Sequence, residues 1–249
     1  ADHFIRDEAH FRRLLRLAYQ VAQTDYLVTL GIQPTAPSSG FGYIQFGDLL
    51  GEWEGQKVHR VRRFKEKPSE AQARQMLADG DHVWNSGMFF WRSSRILAEF
   101  AVHMPQLAQA LRRIAAAWDT PQQQAVLQQE WAGLQPETID YGIMEKAEQV
   151  AVIPAQGLGW SDVGIWDALF EILSGDEQGN IVQGAVHAGL DTRGCLIFGT
   201  SGARLIATLG VQDLIIVDTG DALLVCRRDQ SQLVRQLVQR LKETGSPYL

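Results

Sequence analysis

The sequence predicts an α/β protein that ends in a small β-rich appendage. Residues 26–32 and 150–154 are short, nearly continuous apolar runs, as expected for strands covered on both faces. Helical patterns alternate with these runs. Residues 179–225 instead contain short β-type runs punctuated by glycine and aspartate, without a long helical pattern. We therefore expect an α/β domain over residues 1–174 and a β appendage over residues 175–249.

The composition excludes several classes of partner. Hydrophobic residues make up 45% of the 249 residues, enough for a core, and the net charge of -6 is mild. The sequence has no basic run with interleaved aromatics that would track a nucleic acid, and no apolar segment long enough to span a bilayer. Cys195 and Cys226 lack metal-ligand spacing. We expect a cytoplasmic protein with small-molecule substrates and without a nucleic-acid or membrane partner.

An amphipathic helix begins after Asp7, and its apolar residues recur at helical spacing. They are Phe11, Leu14, Leu15, Ala18 and Val21. After the strand at 26–32, a polar, proline-rich loop over residues 34–44 closes on two glycines before another strand. Gly42 can expose its backbone to a small ligand, and plain turn chemistry is the alternative.

A half-exposed strand over residues 58–64 leads to Glu66 and Lys67. Ser69 and Gln72 then have the spacing of a capping box at the start of a helix. A carboxylate at this strand end can accept hydrogen bonds from sugar hydroxyls, and the neighbouring ammonium can neutralise a phosphate. The alternative interpretation is an exposed charge pair.

Asn85 interrupts an aromatic strand over residues 84–91. Its amide must satisfy both donors and acceptors, which favours a position facing a ligand, with a local Asx-turn as the alternative. Helices are predicted after this strand, at 94–102, 107–118 and 122–131, with Pro105 and Pro121 between them.

A short helix is predicted over residues 138–146. Asp140 and Glu145 are candidate site carboxylates on this helix, and Lys146 is a candidate phosphate ligand. Ordinary surface charge explains the same three residues equally well.

Asp162 follows the predicted strand at 150–154 and is flanked by Gly159 and Gly164. Open α/β sheets collect their ligands at the carboxyl ends of strands, where a carboxylate can hold a metal. The alternative is that Asp162 or Ser161 only caps a helix over residues 165–173.

Two runs in the appendage, residues 213–219 and 222–226, can pair around Gly220 and Asp221. A final helix over residues 230–242 carries an apolar face of Leu233, Leu237, Val238 and Leu241. This face can pack against the appendage or a second subunit, so a homodimer is one expected arrangement.

Taken in order, these stretches resemble the mannose-1-phosphate guanylyltransferases, or GDP-mannose pyrophosphorylases, of the sugar nucleotidyltransferase superfamily. Each motif is weak alone, and their order and spacing carry the resemblance. The motifs are Asp2-His3, Gly40-Phe41-Gly42-Tyr43-Ile44, Phe64-Lys65-Glu66-Lys67-Pro68, Asn85-Ser86-Gly87-Met88-Phe89, Asp140-Tyr141-Gly142-Ile143-Met144-Glu145-Lys146 and Gly159-Trp160-Ser161-Asp162-Val163-Gly164.

The resemblance implies a fold, a reaction and roles for residues. The fold is a Rossmann-like nucleotidyltransferase domain with a C-terminal β-helix segment, and the reaction makes GDP-mannose from GTP and mannose 1-phosphate with Mg²⁺. Asp2 and Asp162 match the carboxylates that hold the magnesium. The resemblance also implies that Glu66 and Asn85 bind the sugar hydroxyls. It implies that Lys67 binds the sugar phosphate and that the backbone of Gly42 lies against the sugar.

The glycine-rich nucleotide-binding loop with which family members begin is not found in this sequence. We therefore expect an N-terminally incomplete catalytic domain, with either a further preceding segment in the native protein or another chain covering the exposed sheet edge. In the first case we expect no turnover by these 249 residues alone. Two alternatives stay open: a sister nucleotidyltransferase with another base or sugar, and a non-catalytic subunit that binds a sugar phosphate.

Overall fold

The computed structural model describes residues 3–200 and 204–248. They divide into two compact units. The larger unit comprises Ile5–Gly159, and the smaller unit comprises the described residues of Trp160–Leu249 with those of Ala1–Phe4. The predicted domain boundary at residue 174 stays a prediction.

In chain order, the first elements are β1 (Phe4–Ile5), α1 (Glu8–Ala22), β2 (Leu27–Ile32), β3 (Tyr43–Trp53), β4 (Gln56–Lys65), α2 (Glu70–Asp79), β5 (His82–Phe90), α3 (Ser93–His103), α4 (Pro105–Ala117), α5 (Gln123–Ala132) and β6 (Val150–Pro154). A single π-helical turn, Asp140–Met144, lies between α5 and β6.

The following elements are β7 (Trp160–Ser161), a 3₁₀ turn (Trp166–Ala168), α6 (Leu169–Ile172), β8 (Ile181–Gln183), β9 (Val186–Arg193), β10 (Leu196–Gly199), β11 (Leu205–Gln212), β12 (Leu214–Asp218), β13 (Leu223–Arg227), a 3₁₀ helix (Arg228–Leu233) and α7 (Val234–Glu243).

One mixed sheet forms the centre of the larger unit, with strand order β2-β5-β3-β4-β6. β6 pairs with β2 in parallel and also meets β4, so the sheet closes on itself. Every residue of β2 is buried, as its continuous apolar sequence predicts. The core beneath this sheet includes Ile44, Val83 and Ile143. The sequence analysis is confirmed in predicting an α/β domain.

Local sequence signals explain several boundaries of the larger unit. Asp7 caps α1 by accepting a hydrogen bond from the amide of His10. The β3–β4 hairpin turns through Glu54 and Gly55, which both have positive φ, as a two-residue hairpin turn requires. Pro105 opens α4, where its missing N–H has no helical partner to lose.

The smaller unit contains short parallel strands stacked by successive stretches of chain. β8, β10 and β12 pair in parallel, and β9 pairs in parallel with β11. Ile181, Leu196 and Ile215 pack inside. This is a β-helix-like arrangement, and the predicted pairing around Gly220 is confirmed as β12 with β13.

The predicted final helix is confirmed as α7, although its first turn is part of a 3₁₀ helix. Within the described residues, no helix has the length and apolar character that crossing a membrane requires.

Candidate functional site

Glu66 and Lys67 occupy the turn between β4 and α2 in the larger unit. Lys67 has a φ of +43°, a left-handed conformation that is uncommon outside glycine. A capping box fixes the C-terminal side of the turn. In it the side chains of Ser69 and Gln72 each accept a hydrogen bond from the other residue's backbone amide. The Glu66 side chain is only 12% exposed, whereas that of Lys67 is 56% exposed. The alternative of an exposed charge pair is therefore wrong for Glu66.

The Glu66 carboxylate packs against Gly42, in space that a side chain at position 42 would fill. A Cβ on Gly42 would lie 2.3 Å from Glu66 Oε2 and 3.2 Å from Asn85 Cβ, so only glycine leaves room for this packing. The Gly42 carbonyl also accepts a hydrogen bond from the backbone amide of Asn85 at 2.7 Å. Glu66 Oε2 is buried and has no hydrogen-bond partner among the residues that the structure describes. A buried carboxylate oxygen without a donor is a strong acceptor for a ligand hydroxyl.

The Asn85 side chain joins β5 to the turn at Asp140. Its Nδ2 donates to Asp140 Oδ1 at 3.0 Å. Its Oδ1 accepts from the Gly87 amide at 3.1 Å, which is the local turn that the alternative interpretation expects. Oδ1 also accepts from Thr29 Oγ1 at 3.2 Å. Sequence reasoning missed Thr29, although a lone hydroxyl within the apolar strand β2 was a usable signal.

Glu145 holds the Glu66 turn from the other side. Its Oε1 accepts a hydrogen bond from the Glu66 amide at 2.8 Å and lies 3.6 Å from Lys65 Nζ. The geometry therefore gives Glu145 a contact with the backbone of the site. Lys146 is exposed, and its side chain makes no hydrogen bond or ion pair with the described part of the chain.

Burial and neighbouring charge change the acidity of two carboxyl groups. Burial raises the pKa of Glu66, and the nearby Asp140 carboxylate raises it further, while Lys67 opposes both effects. Burial also raises the pKa of Asp140, against the hydrogen bonds that stabilise its ionised form. The fold therefore holds these carboxylates in a place where ionisation is unfavourable, as ligand-binding sites often do.

We expect Glu66→Gln to raise the melting temperature at about pH 7. A folded-state pKa above the ordinary 4.5 contributes stability that is fully present at lower pH and is lost as pH rises through the raised value. The ionised wild type is therefore penalised at neutral pH, and the neutral amide is not. Thermal melts of both proteins at about pH 4 and pH 7 measure the difference.

Glu52→Gln on the exposed part of β3 serves as the control for this comparison. It should change the melting temperature little at either pH. An equal gain for Glu66→Gln at both pH values would contradict the link to ionisation.

Asp162 lies in the smaller unit, just after β7. A Cβ on Gly164 would lie 2.7 Å from Asp162 Oδ2, so the glycine leaves the carboxylate room. No side chain caps the following 3₁₀ turn, which begins after Ile165. The alternative that Asp162 or Ser161 caps a helix there is therefore wrong. Asp2 lies outside the described residues.

The donor chemistry at Asp162 fits a magnesium ion. Its carboxylate makes no hydrogen bond or ion pair within residues 3–200 and 204–248, so its oxygens are available. Mg²⁺ prefers such hard oxygen ligands and keeps several waters.

Protein-family profiles match both parts of the chain. The profile of the Nucleotidyl transferase family matches residues 1–179. The profile of the MannoseP isomerase/GMP-like beta-helix domain matches residues 185–241.

Similar proteins carry related names. The chain is 39% identical to the xanthan biosynthesis protein XanB of Xanthomonas campestris pv. campestris (strain B100), over 98% of this chain and 50% of that protein. It is also 39% identical to a mannose-1-phosphate guanylyltransferase of Klebsiella pneumoniae, over 98% and 51% of the two chains. The chain thus spans about half the length of these relatives.

A solved structure shares the fold of the chain. It is a crystal structure from Thermus thermophilus, named as a mannose-1-phosphate geranyltransferase, with 36% identity and a TM-score of 0.82. The match covers 97% of this chain and 68% of that one.

Proposed function

Because the chain belongs to the nucleotidyl transferase family, we propose that the native protein transfers GMP from GTP to mannose 1-phosphate, giving GDP-mannose and pyrophosphate. The observation that carries this proposal is the buried, unpartnered Oε2 of Glu66 beside Gly42. Such an oxygen suits a sugar hydroxyl. The names of the relatives support mannose as the sugar and guanosine as the nucleoside.

The proposed sugar site has an acceptor and a cation in one turn, Glu66 and Lys67, and a donor, Asn85, on β5. Glu66 accepts from hydroxyls, and the remaining Nδ2 proton of Asn85 is available to donate to one. Lys67, half-exposed at the mouth of the turn, neutralises the sugar phosphate. Asp140 fixes the Asn85 amide, and Glu145 fixes the Glu66 backbone. Lys146 remains a proposed phosphate contact.

The reaction needs no general base, because the nucleophile is already a phosphate oxygen. That oxygen attacks the α-phosphorus of GTP, a new P–O bond forms, and the bond to the pyrophosphate leaving group breaks. We assign the magnesium ligands to Asp2 and Asp162, and the bound ion would neutralise charge on the phosphates. The chain's own contribution is to orient the sugar phosphate for in-line attack.

Release of pyrophosphate by the native protein tests this proposal. The protein is supplied with GTP, mannose 1-phosphate and Mg²⁺, and the variant Asp162→Asn is measured beside it. We expect pyrophosphate from the native protein and a large loss in the variant. A native protein that binds mannose 1-phosphate but releases no pyrophosphate would favour a non-catalytic binding subunit. Release with another nucleotide or sugar phosphate alone would favour a sister transferase.

Lys67→Met should weaken mannose 1-phosphate binding and leave binding of free mannose unchanged. The substitution keeps the apolar stem and removes the charge that faces the phosphate. A titration series at increasing salt measures the effect, because screening should reduce affinity in wild type more than in the variant. Lys57→Met, exposed on β4, is the matched control. Equal salt dependence in both variants would exclude a phosphate contact at Lys67.

We propose a homodimer formed through the outer face of β9 and β11 in the smaller unit. This face is apolar and exposed, with Leu190 at 65% and Leu209 at 70% exposure in register with each other. The inner face instead carries hydrogen-bonded polar groups, including the Thr192–Thr208 pair at 2.7 Å. An exposed apolar patch of this kind, with the polar groups facing inward, is typical of a protein–protein interface. The exposed apolar residues Val186, Leu190, Leu205 and Leu209 can meet their own copies across a two-fold axis without like-charge repulsion.

Leu209→Glu is expected to convert the dimer into a monomer. The two-fold axis would bring two carboxylates into one apolar interface, where unpaired charge is strongly unfavourable. Light scattering after size-exclusion chromatography measures the mass. Leu97→Glu on α3, at an exposed leucine away from this face, is the control and should stay dimeric. A monomeric wild type, or a dimeric Leu209→Glu, would exclude this interface.

A cytoplasmic location is part of the same proposal. Cys195 and Cys226 are both free thiols, which suits a reducing compartment.

A further inference from the structure

Three potential metal ligands meet in the larger unit where α2 ends and β5 begins. Asp79, Asp81 and His82 each offer one ligand atom, and these atoms all lie within 4.8 Å of one another. We propose that they bind one divalent transition-metal ion, with Zn²⁺ as the best match. The proposal rests on these residues alone and is independent of the proposed reaction.

Two buried atoms of this cluster lack hydrogen-bond partners within the described residues. His82 is 8% exposed, and its Nδ1 is one of them; Asp81 Oδ1 is the other. The two atoms lie 2.6 Å apart, which is an ion-pair distance when the imidazole is protonated. In the neutral tautomer with its proton on Nε2, both atoms direct lone pairs into the same small space. Ligands of one Zn²⁺ ion lie roughly 3 Å apart at bond lengths of about 2.1 Å, so a small rotation of either side chain suffices.

The two carboxylates are oriented by amide side chains. Gln45 Nε2 donates to Asp81 Oδ2 at 2.9 Å, which leaves Oδ1 as the oxygen on the His82 side. Gln75 Nε2 donates to Asp79 Oδ1 at 2.7 Å, which leaves Oδ2. Outer hydrogen bonds of this kind fix ligand orientation at metal sites in proteins.

The end of α2 also favours a cation. Gly80 ends the helix in the left-handed conformation, with φ of +72°, and the last turn of α2 contains no basic residue. Instead, Asp79 places a negative charge at the negative end of the helix dipole, which is unfavourable without a nearby cation. A bound divalent ion would compensate the charge of the Asp79 carboxylate and the negative end of the α2 dipole.

The ligand set selects the class of ion. One imidazole nitrogen with two carboxylates suits Zn²⁺ and its neighbours in the transition series better than Mg²⁺, which prefers oxygen ligands alone. Three protein ligands leave room for a water in a tetrahedral site.

The position of this site couples it to the candidate sugar site. β5 carries His82 and, three residues later, Asn85. An ion at the junction would therefore fix the strand that carries Asn85.

Calorimetric titration of the untagged, metal-free chain with ZnCl₂ tests the proposal, with Co²⁺ absorption as a second probe. We expect about one ion per chain and d–d bands typical of nitrogen and oxygen ligands. Asp79→Asn, at an exposed position, should lose most of the affinity without unfolding the chain. Gln45→Leu, which removes only the orienting bond, should bind about 10- to 100-fold more weakly. Asp162→Asn should bind Zn²⁺ as the wild type does.

Failure of the wild type to bind Zn²⁺ or Co²⁺ would show that Asp81 and His82 form a plain ion pair. Unchanged affinity in both Asp79→Asn and Gln45→Leu would place any bound ion elsewhere. Either result overturns the site, and neither affects the proposed transferase reaction, which is read by pyrophosphate release.

Discussion

Replacing Glu66 by alanine is expected to weaken the binding of mannose 1-phosphate by about 5- to 150-fold. Removing a charged acceptor from a buried site leaves ligand hydroxyls unpaired, which costs about 1 to 3 kcal/mol. The effect should be large here because Glu66 Oε2 is buried and lacks a partner in the described chain. Isothermal calorimetry with mannose 1-phosphate measures the loss.

Glu70→Ala provides the matched control for this measurement. Glu70 lies four residues further along, in the first turn of α2, and its exposed carboxylate pairs with Arg74. We expect its affinity to equal that of wild type. If Glu66→Ala bound mannose 1-phosphate as tightly as Glu70→Ala did, Glu66 would have no part in the sugar site.

Gly42→Ala should reduce the affinity as strongly as Glu66→Ala does while leaving the fold intact. The new Cβ would lie 2.3 Å from Glu66 Oε2, which is the free end of a flexible side chain. The carboxylate can therefore move away without disturbing the backbone, and the site loses its acceptor. Calorimetry and a thermal melt of the same sample separate the loss of binding from any loss of stability.

Gly40→Ala and a double variant complete this experiment. A Cβ on Gly40 would meet only Ser38 Oγ, at an ordinary 3.4 Å, so this substitution should leave affinity unchanged. Gly42→Ala combined with Glu66→Ala should bind no more weakly than either single variant, because both remove the same contact. Additive losses would mean that Gly42 acts on the sugar separately from Glu66.

The sequence was sufficient where local rules determine the structure. The capping box at Ser69 and Gln72 predicts the start of α2, because both of its hydrogen bonds lie within four residues. The continuous apolar run of β2 predicts full burial. The motifs that carry the resemblance also identified Gly42, Glu66 and Asn85, which the fold brings together.

The sequence was insufficient where contacts depend on distant segments. The hydrogen bond from Asn85 to Asp140 spans 55 positions, and that from the Glu66 amide to Glu145 spans 79. No local pattern specifies such pairs. Asp79, Asp81 and His82 are close in sequence, and what the sequence does not show is the burial of His82, which depends on how β5 packs in its sheet.

The apolar outer face of β9 and β11 shows a different limit of sequence patterns. Alternation predicts that one side of a strand is apolar, but it does not say which side faces the core. In the smaller unit the apolar side of these two strands faces outward, while the polar groups of His187 and Thr208 lie inside, 2.8 Å apart. Only the folded chain reveals this inversion.

A crystal structure of the chain with mannose 1-phosphate tests the proposed sugar site most directly. We predict that sugar hydroxyls lie within hydrogen-bond distance of Glu66 Oε2 and Asn85 Nδ2, with the phosphate next to Lys67 and the ring against Gly42. An ordered mannose 1-phosphate bound elsewhere, with the Glu66 carboxylate still unpartnered, would contradict the assignment of this site.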